Sequence, residues 1–264
     1  GLGTPPERVS SRDNTATNGG NVFNKLYGAR VISCNLLLEG STADEYFTRL
    51  KALCEALDLP TDADWTMTRW DTANTQRKIA ASVIEAPKWS ELAGEPTIAR
   101  SIPVQWYCGD PYFKSTSSTS EQLTLQSPGG IAITSAVSAA FAPGQTSNTV
   151  QITNSGNIDS YPDIVFTGPV TNPRLTLVET GESVGVDIEI TAGQTLAIFN
   201  TSRGPVFRLN GTVGNASSGT NYYQYSVGKL FKLPKNATST LKFTAQTVTA
   251  GTCDITHTDN YLNI

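Results

Sequence analysis

Side chains able to do chemistry are few in this chain and widely spaced, and that scarcity sets the first limits on its function. There is one histidine, His257, in the stretch Thr256-His257-Thr258-Asp259. Zinc and non-haem iron sites draw on several imidazoles, and a histidine-based nucleophilic triad would have a single possible base here. The stretch reads as solvent-facing, so His257 is expected on a strand surface. The four cysteines, Cys34, Cys54, Cys108 and Cys253, contain no Cys-x-x-Cys pair, which disfavours zinc. Cys34 and Cys108 fall in apolar, strand-like runs and Cys54 on the apolar side of a helix, positions that suit small buried thiols, with a disulfide left open. No metal, cofactor or catalytic residue is assigned.

Two further groupings invite a chemical reading. Asp187 and Glu189 stand two apart on a predicted strand and, with Glu179 or Glu182, imitate the carboxylate pair of a glycoside hydrolase. That reaction needs two carboxyls facing each other across a cleft, whereas alternation with Val186, Ile188 and Ile190 describes the wetted face of a strand. Tyr222, Tyr223 and Tyr225 follow a run of small polar residues at 214–220 and form a candidate glycan platform. Their rings would stack on sugars while Asn221 and Arg208 bond hydroxyls. The plainer expectation is that alternate tyrosines of a strand fill a sandwich core and cover its rim.

Charge narrows the classes again. Lys and Arg number 19 against 23 Asp and Glu, a net charge of −4, with an isoelectric point near 5.1. Specific DNA binding needs a basic footprint that this chain lacks. No apolar run reaches the roughly 20 residues of a membrane span.

The elements that must position these residues follow from pattern. A length of 264 residues allows two domains, each with its own core. Charged residues at 16%, with 22 Gly and 14 Pro, rule out an all-helical bundle. Residues 1–20 read as an N-terminal arm without hydrophobic periodicity. Residues 21–113 predict an α+β domain, an antiparallel, β-barrel-like sheet with one helix and a hairpin. Its helix opens on a capping box, Thr42 with Glu45, and carries an apolar stripe at Tyr46, Phe47, Leu50, Leu53, Cys54 and Leu57. The hairpin runs from Trp65 to Glu85. The core is expected from Val31, Leu36, Leu38, Phe47, Leu50, Leu53, Leu57, Val83, Val104 and Trp106. The Ser/Thr run at 114–120 predicts a linker, and 121–264 predict an all-β sandwich from closely spaced short strands, among them 184–190.

One stretch, Ile152-Thr153-Asn154-Ser155-Gly156-Asn157-Ile158-Asp159-Ser160-Tyr161-Pro162 running on to Gly168, resembles the C-terminal domain of siphophage distal tail proteins. There an Asn-x-Gly-Asn/Asp turn precedes an aromatic-Pro step and a strand ending in Gly. Thr171-Asn172-Pro173-Arg174-Leu175 continues the likeness. Leu233-Pro234-Lys235-Asn236 is similar to the family's Leu-x-Pro-Gly-x-Asn turn, without its Gly. In the first half, Tyr27-Gly28-Ala29-Arg30-Val31-Ile32 and Ile102 to Phe113, with its Asp110-Pro111-Tyr112 exit, resemble the family's first domain. Asn154, Gly156 and Asn157 are expected to supply the positive-φ positions of a tight turn.

The resemblance implies a galectin-like second domain and a structural, non-enzymatic role in the virion, at the distal end of a long phage tail, after synthesis in the host cytoplasm. The chain would form a homo-hexameric ring joining the tail tube protein to tail-tip hub, baseplate or receptor-binding proteins. DNA would pass its channel unbound, which suits an acidic chain. A closed ring needs a heterologous interface, for which the hairpin and the arm are candidates, with Trp70, Asn74, Gln76 and Trp89 as contact residues. The alternatives are a carbohydrate-binding module recognising host cell-wall glycan, a tail-tube protein of related fold, or a glycoside hydrolase.

Overall fold

Period-two alternation of apolar residues, broken once by a helical stripe, builds both halves of the molecule. The computed structural model describes residues 4–13, 20–58, 63–68, 76–85, 99–126, 147–248 and 250–263. The chain divides into two units, Gly1–Thr116 with Tyr261–Ile264, and Ser117–Asn260. The end of the predicted sandwich segment thus belongs to the first unit.

In the first unit the strands Arg30–Glu39 and Ala99–Cys108 pair antiparallel over their whole length. Ala99–Cys108 also pairs with Gln76–Glu85, through a register shift between Val83 and Glu85. Gln76–Glu85 in turn pairs with Ala63–Thr68 as the expected hairpin, Thr68 opposite Gln76. The short strands Phe113–Lys114 and Asn260–Tyr261 complete the sheet, which among the described residues is an open path and not a closed barrel. One parity of these strands, Ile32, Ile79, Ala81, Ile102, Val104, Trp106 and Cys108, faces a common core with Phe113.

The helix Ala43–Leu57 lays Tyr46, Leu50 and Leu57 onto that core. Its start is fixed by Thr42, whose hydroxyl accepts the Glu45 N–H at 3.2 Å. The Glu45 carboxylate reaches back to the Ser41 N–H at 2.7 Å, one residue earlier than a capping box usually serves. At the other end the Cys54 carbonyl accepts the Asp58 N–H.

Two expected core residues lie outside. Val31 is 40% and Phe47 64% exposed. Val31 is one residue out of phase with Ile32 and pairs with Tyr107 on the outer face of the sheet. Phe47 sits one helical step, about 100°, from the Tyr46–Leu50 stripe, its ring edge-on to Tyr46. Leu36, Leu38, Leu53 and Val83 are partly buried against the core, as are Cys34 and Cys54. The expected arm is also more ordered than its composition suggests. Glu7–Asp13 pairs with Gly20–Tyr27 in a two-stranded antiparallel ribbon, and the Gly28 N–H donates to the Pro6 carbonyl. A strand polar on both faces carries no hydrophobic period to be read.

The second unit is a sandwich. One sheet runs in the order Thr220–Asn221, Gly204–Leu209, Thr195–Thr201, Asp163–Thr167, Ala250–His257, Thr119–Gln126. The other runs Ser226–Gly228, Ser183–Val186, Arg174–Leu177, Ala237–Thr244, Ser147–Asn154. A third, small sheet joins Glu189–Ile190, Val170–Thr171 and Thr247–Val248. The two large sheets share one core, in which Phe166 of the first stacks on Phe243 of the second at 5.5 Å.

The predicted linker is shorter than 114–120. Lys114 closes one strand, and Thr119 and Ser120 begin another that pairs with Ala250–His257. Serine and threonine suit this edge strand because their hydroxyls pair across it, Ser120 with Thr256 at 3.1 Å. The single strand expected at 184–190 is two, Ser183–Val186 and Glu189–Ile190, in different sheets.

Candidate functional site

The turn motif at 154–160 and the turn motif at 233–236, far apart in sequence, meet at one end of the sandwich. Asn154, closing the strand Ser147–Asn154, is fully buried. Its Nδ2 donates to the Ile158 carbonyl at 3.1 Å, the Leu233 carbonyl at 3.0 Å and the Ser160 hydroxyl at 3.3 Å. Its Oδ1 accepts the Gly156 N–H at 2.9 Å. Ser160 and Leu233 exchange both backbone hydrogen bonds. Asn236 N–H donates to the Gly156 carbonyl, and Lys235 N–H to the Asp159 carboxylate, each at 3.0 Å.

The roles within these turns differ from the expectation. Asn154, Gly156 and Asn157 are not among the positive-φ residues, whereas Asn236 has φ +50°. The left-handed position thus falls in the second motif, on the asparagine after Lys235. Gly156 is needed for space, because a Cβ there would lie 2.4 Å from the Asn260 carbonyl oxygen and 2.8 Å from Asn154 Oδ1.

His257 belongs to this cluster, and the expected surface position is wrong: it is 1% exposed. Cys253, Ile255 and His257 share one parity of their strand, and that parity faces the core. This alternation was the signal that places the imidazole inside. Nε2 lies 3.0 Å from Asp259 Oδ1 and Nδ1 lies 3.4 Å from the Ser160 hydroxyl. The carboxylate can only accept, so Nε2 carries the proton and Nδ1 accepts from serine. Burial lowers the His257 pKa, and the Asp259 charge and its hydrogen bond act in the opposite direction.

Ser160, His257 and Asp259 repeat the residue types of a hydrolase triad, yet not its chemistry. A nucleophile must meet substrate, and Ser160 is 2% exposed. Its oxygen also takes a hydrogen bond from Asn154. Asp259 additionally accepts the Ser155 N–H at 3.1 Å. These are the bonds of a buried polar junction that fixes turns.

The carboxylate grouping comes apart in the structure. Asp187 follows the end of one strand and pairs with Arg174, Glu189 begins a strand of another sheet, and the Glu179 carboxylate accepts the Thr240 N–H. The thiols are free, and burial raises that of Cys108 to about 11 and that of Cys253 well above its ordinary value, which suppresses nucleophilic thiolate. Among the described residues no three His, Cys, Asp or Glu side chains converge as ligands for a metal. No helix among them is long and apolar enough to cross a membrane.

The tyrosines are brought together, on a different element from the one expected. Tyr223–Tyr225 is a single 3-10 turn, not a strand. It links the edge strand Thr220–Asn221 of one sheet to the edge strand Ser226–Gly228 of the other. Tyr222 is partly buried on the core, with its ring 5.3 Å from that of Tyr225. Tyr223 meets the buried Phe207 edge-on at 5.7 Å. Arg208 pairs across strands with Asn221, so the polar and aromatic members of the candidate platform are neighbours. Of the candidate interface residues, Gln76 is exposed at the start of its strand, while Trp70, Asn74 and Trp89 lie outside the described residues.

No protein-family model matches the chain, and no curated protein sequence matches it. Solved structures do. The crystal structure of the SPP1 Dit protein, described as a paradigm of the hub adsorption apparatus in Gram-positive infecting phages, superposes with a TM-score of 0.56 at 14% identity. The match covers 96% of this chain and 88% of that one. The baseplate of phage p2 in its activated conformation with Ca gives a TM-score of 0.42 at 13% identity, over 94% of this chain and 87% of that chain. The fold of this chain is like that of the SPP1 Dit protein over nearly its whole length.

Proposed function

We propose that the chain is a structural, non-catalytic hub subunit at the distal end of a long phage tail. Six copies would form a ring that joins the tail tube to baseplate or receptor-binding proteins and leaves a channel for DNA. The observation that carries this reading is the extent of the likeness to the SPP1 Dit protein, 96% of the chain across both units. A sandwich alone would be common to many functions; the pairing of this sandwich with this α+β unit is more specific. A galectin-like classification of the second unit belongs to the same reading.

The chemistry fits the role. Its polar cluster is buried, the Cys108 and Cys253 thiols are suppressed, and its net charge of −4 disfavours holding phosphate in a channel. Ring contacts are assigned to the hairpin Ala63–Glu85, including Trp70, Asn74 and Gln76, with Trp89 beyond it, and to the ribbon Glu7–Tyr27. Sedimentation velocity with negative-stain imaging tests the proposal. A six-fold ring is the expected result, and a stable monomer at micromolar concentration would overturn it.

A further inference from the structure

We propose that the turn Tyr223–Tyr225 is a binding surface for a glycan, a function additional to that of a hub. Among the described residues of the second unit the exposed large hydrophobics are Val178, Tyr223 and Tyr225. Two of the three are therefore aromatic and share one turn. Tyr223 is 53% and Tyr225 41% exposed.

Both rings are held in place from behind. Tyr223 rests on Phe207 and Tyr225 on Tyr222, which is itself seated on the core. A ring immobilised in this way loses little entropy when a ligand stacks on it. The backbone of the turn is fixed too, through Tyr222 N–H to the Phe207 carbonyl and Asp187 N–H to the Tyr225 carbonyl.

Polar groups frame the rings. The bond from Asp187 to Tyr225 brings the Arg174–Asp187 ion pair to one side. Arg208 lies opposite Asn221 on the neighbouring strand. Its Nη1 makes a long 3.5 Å contact with the Gly219 carbonyl. A guanidinium carries five N–H donors, so it has capacity to spare for hydroxyl oxygens. Two aromatic rings with a guanidinium and an amide side chain beside them are the chemistry that recognises a sugar, apolar face on ring and hydroxyls on polar side chains.

The test uses the full chain and defined soluble oligosaccharides of glucose, galactose, rhamnose and N-acetylglucosamine, titrated calorimetrically. At least one is expected to bind. Tyr223→Ala and Tyr225→Ala should each weaken binding by about tenfold, and the Phe variants, which keep the ring, should retain most of it. Binding by none of these sugars, or binding indifferent to both Ala variants, overturns the proposal. So does a result in which the Ala variants lose a neighbouring tail protein and no sugar. Ring assembly, followed by sedimentation on the same variants, should be unchanged, so that failure here is distinct from failure of the hub reading.

Discussion

Asn154 holds Leu233 across 79 residues of sequence, its Nδ2 donating to the leucine carbonyl at 3.0 Å from a fully buried position. The bond ties the turn leaving one strand of the sandwich to the turn entering another, and the same amide serves Ile158 and Ser160. Substitution Asn154→Ala strands several buried acceptors and should cost about 3 kcal/mol. Asn154→Asp should be no better, since a carboxylate offers no donor to those carbonyls. Urea unfolding followed by far-UV circular dichroism measures both. All four tryptophans lie between residues 65 and 106, so tryptophan emission from the first unit serves as an internal control.

His257 gives this junction a pH dependence. Its pKa is lowered in the fold, chiefly by burial, against an ordinary value of 6.5. The unfolded chain therefore binds the proton more readily, and the contribution is fully present above the ordinary value. It is lost as pH falls below that value towards the folded pKa. Stability of the second unit should decline over that interval, before the carboxylates titrate. In His257→Gln the decline should be absent, as pH-resolved denaturant midpoints would show.

Gly156 and Gly181 separate two reasons for glycine. Gly156→Ala would force a Cβ to 2.4 Å from the Asn260 carbonyl oxygen, with the Asn260 nitrogen and the buried Asn154 Oδ1 each at 2.8 Å, and should cost about 3 kcal/mol. Gly181 has φ +73° and open space around its Cβ position, so Gly181→Ala should cost only about 1 kcal/mol of backbone strain. Thermal denaturation of the pair checks the ordering.

Removing residues 261–264 should destabilise the first unit, to which they belong. The deletion takes the Leu262 carbonyl from the buried Arg30, 2.7 Å from its Nη2, and the Tyr261 ring from beneath Arg77 at 3.7 Å. The expected loss is about 2 kcal/mol, read as an earlier transition in tryptophan emission.

Thr42→Ala removes the hydroxyl that receives the Glu45 N–H and should cost about 1 kcal/mol, confined to the first unit. Thr42→Ser should restore most of it in the same emission-detected unfolding curves.

What could be read from sequence alone was whatever repeats locally. The helix announced itself through Thr42, Glu45 and the Tyr46–Leu50 stripe, and the hairpin and most sandwich strands through alternation and turn residues. The strand Glu7–Asp13 escaped because, Val9 apart, its residues are polar and neither face alternates. The order of motifs along the chain pointed to the distal tail protein fold, and the fold is like that of the SPP1 Dit protein. Phase decided several residues: Val31 and Phe47 are outside and His257 is inside, each by one step of a periodicity whose register is set by the partner strand or packed face. Which distant residues meet was settled only in three dimensions. Asn154 with Leu233, Ser160 with His257, and Leu262 with Arg30 are joined by the closing of sheets. No local pattern encodes a hydrogen bond between segments that are brought together only by burying a common core.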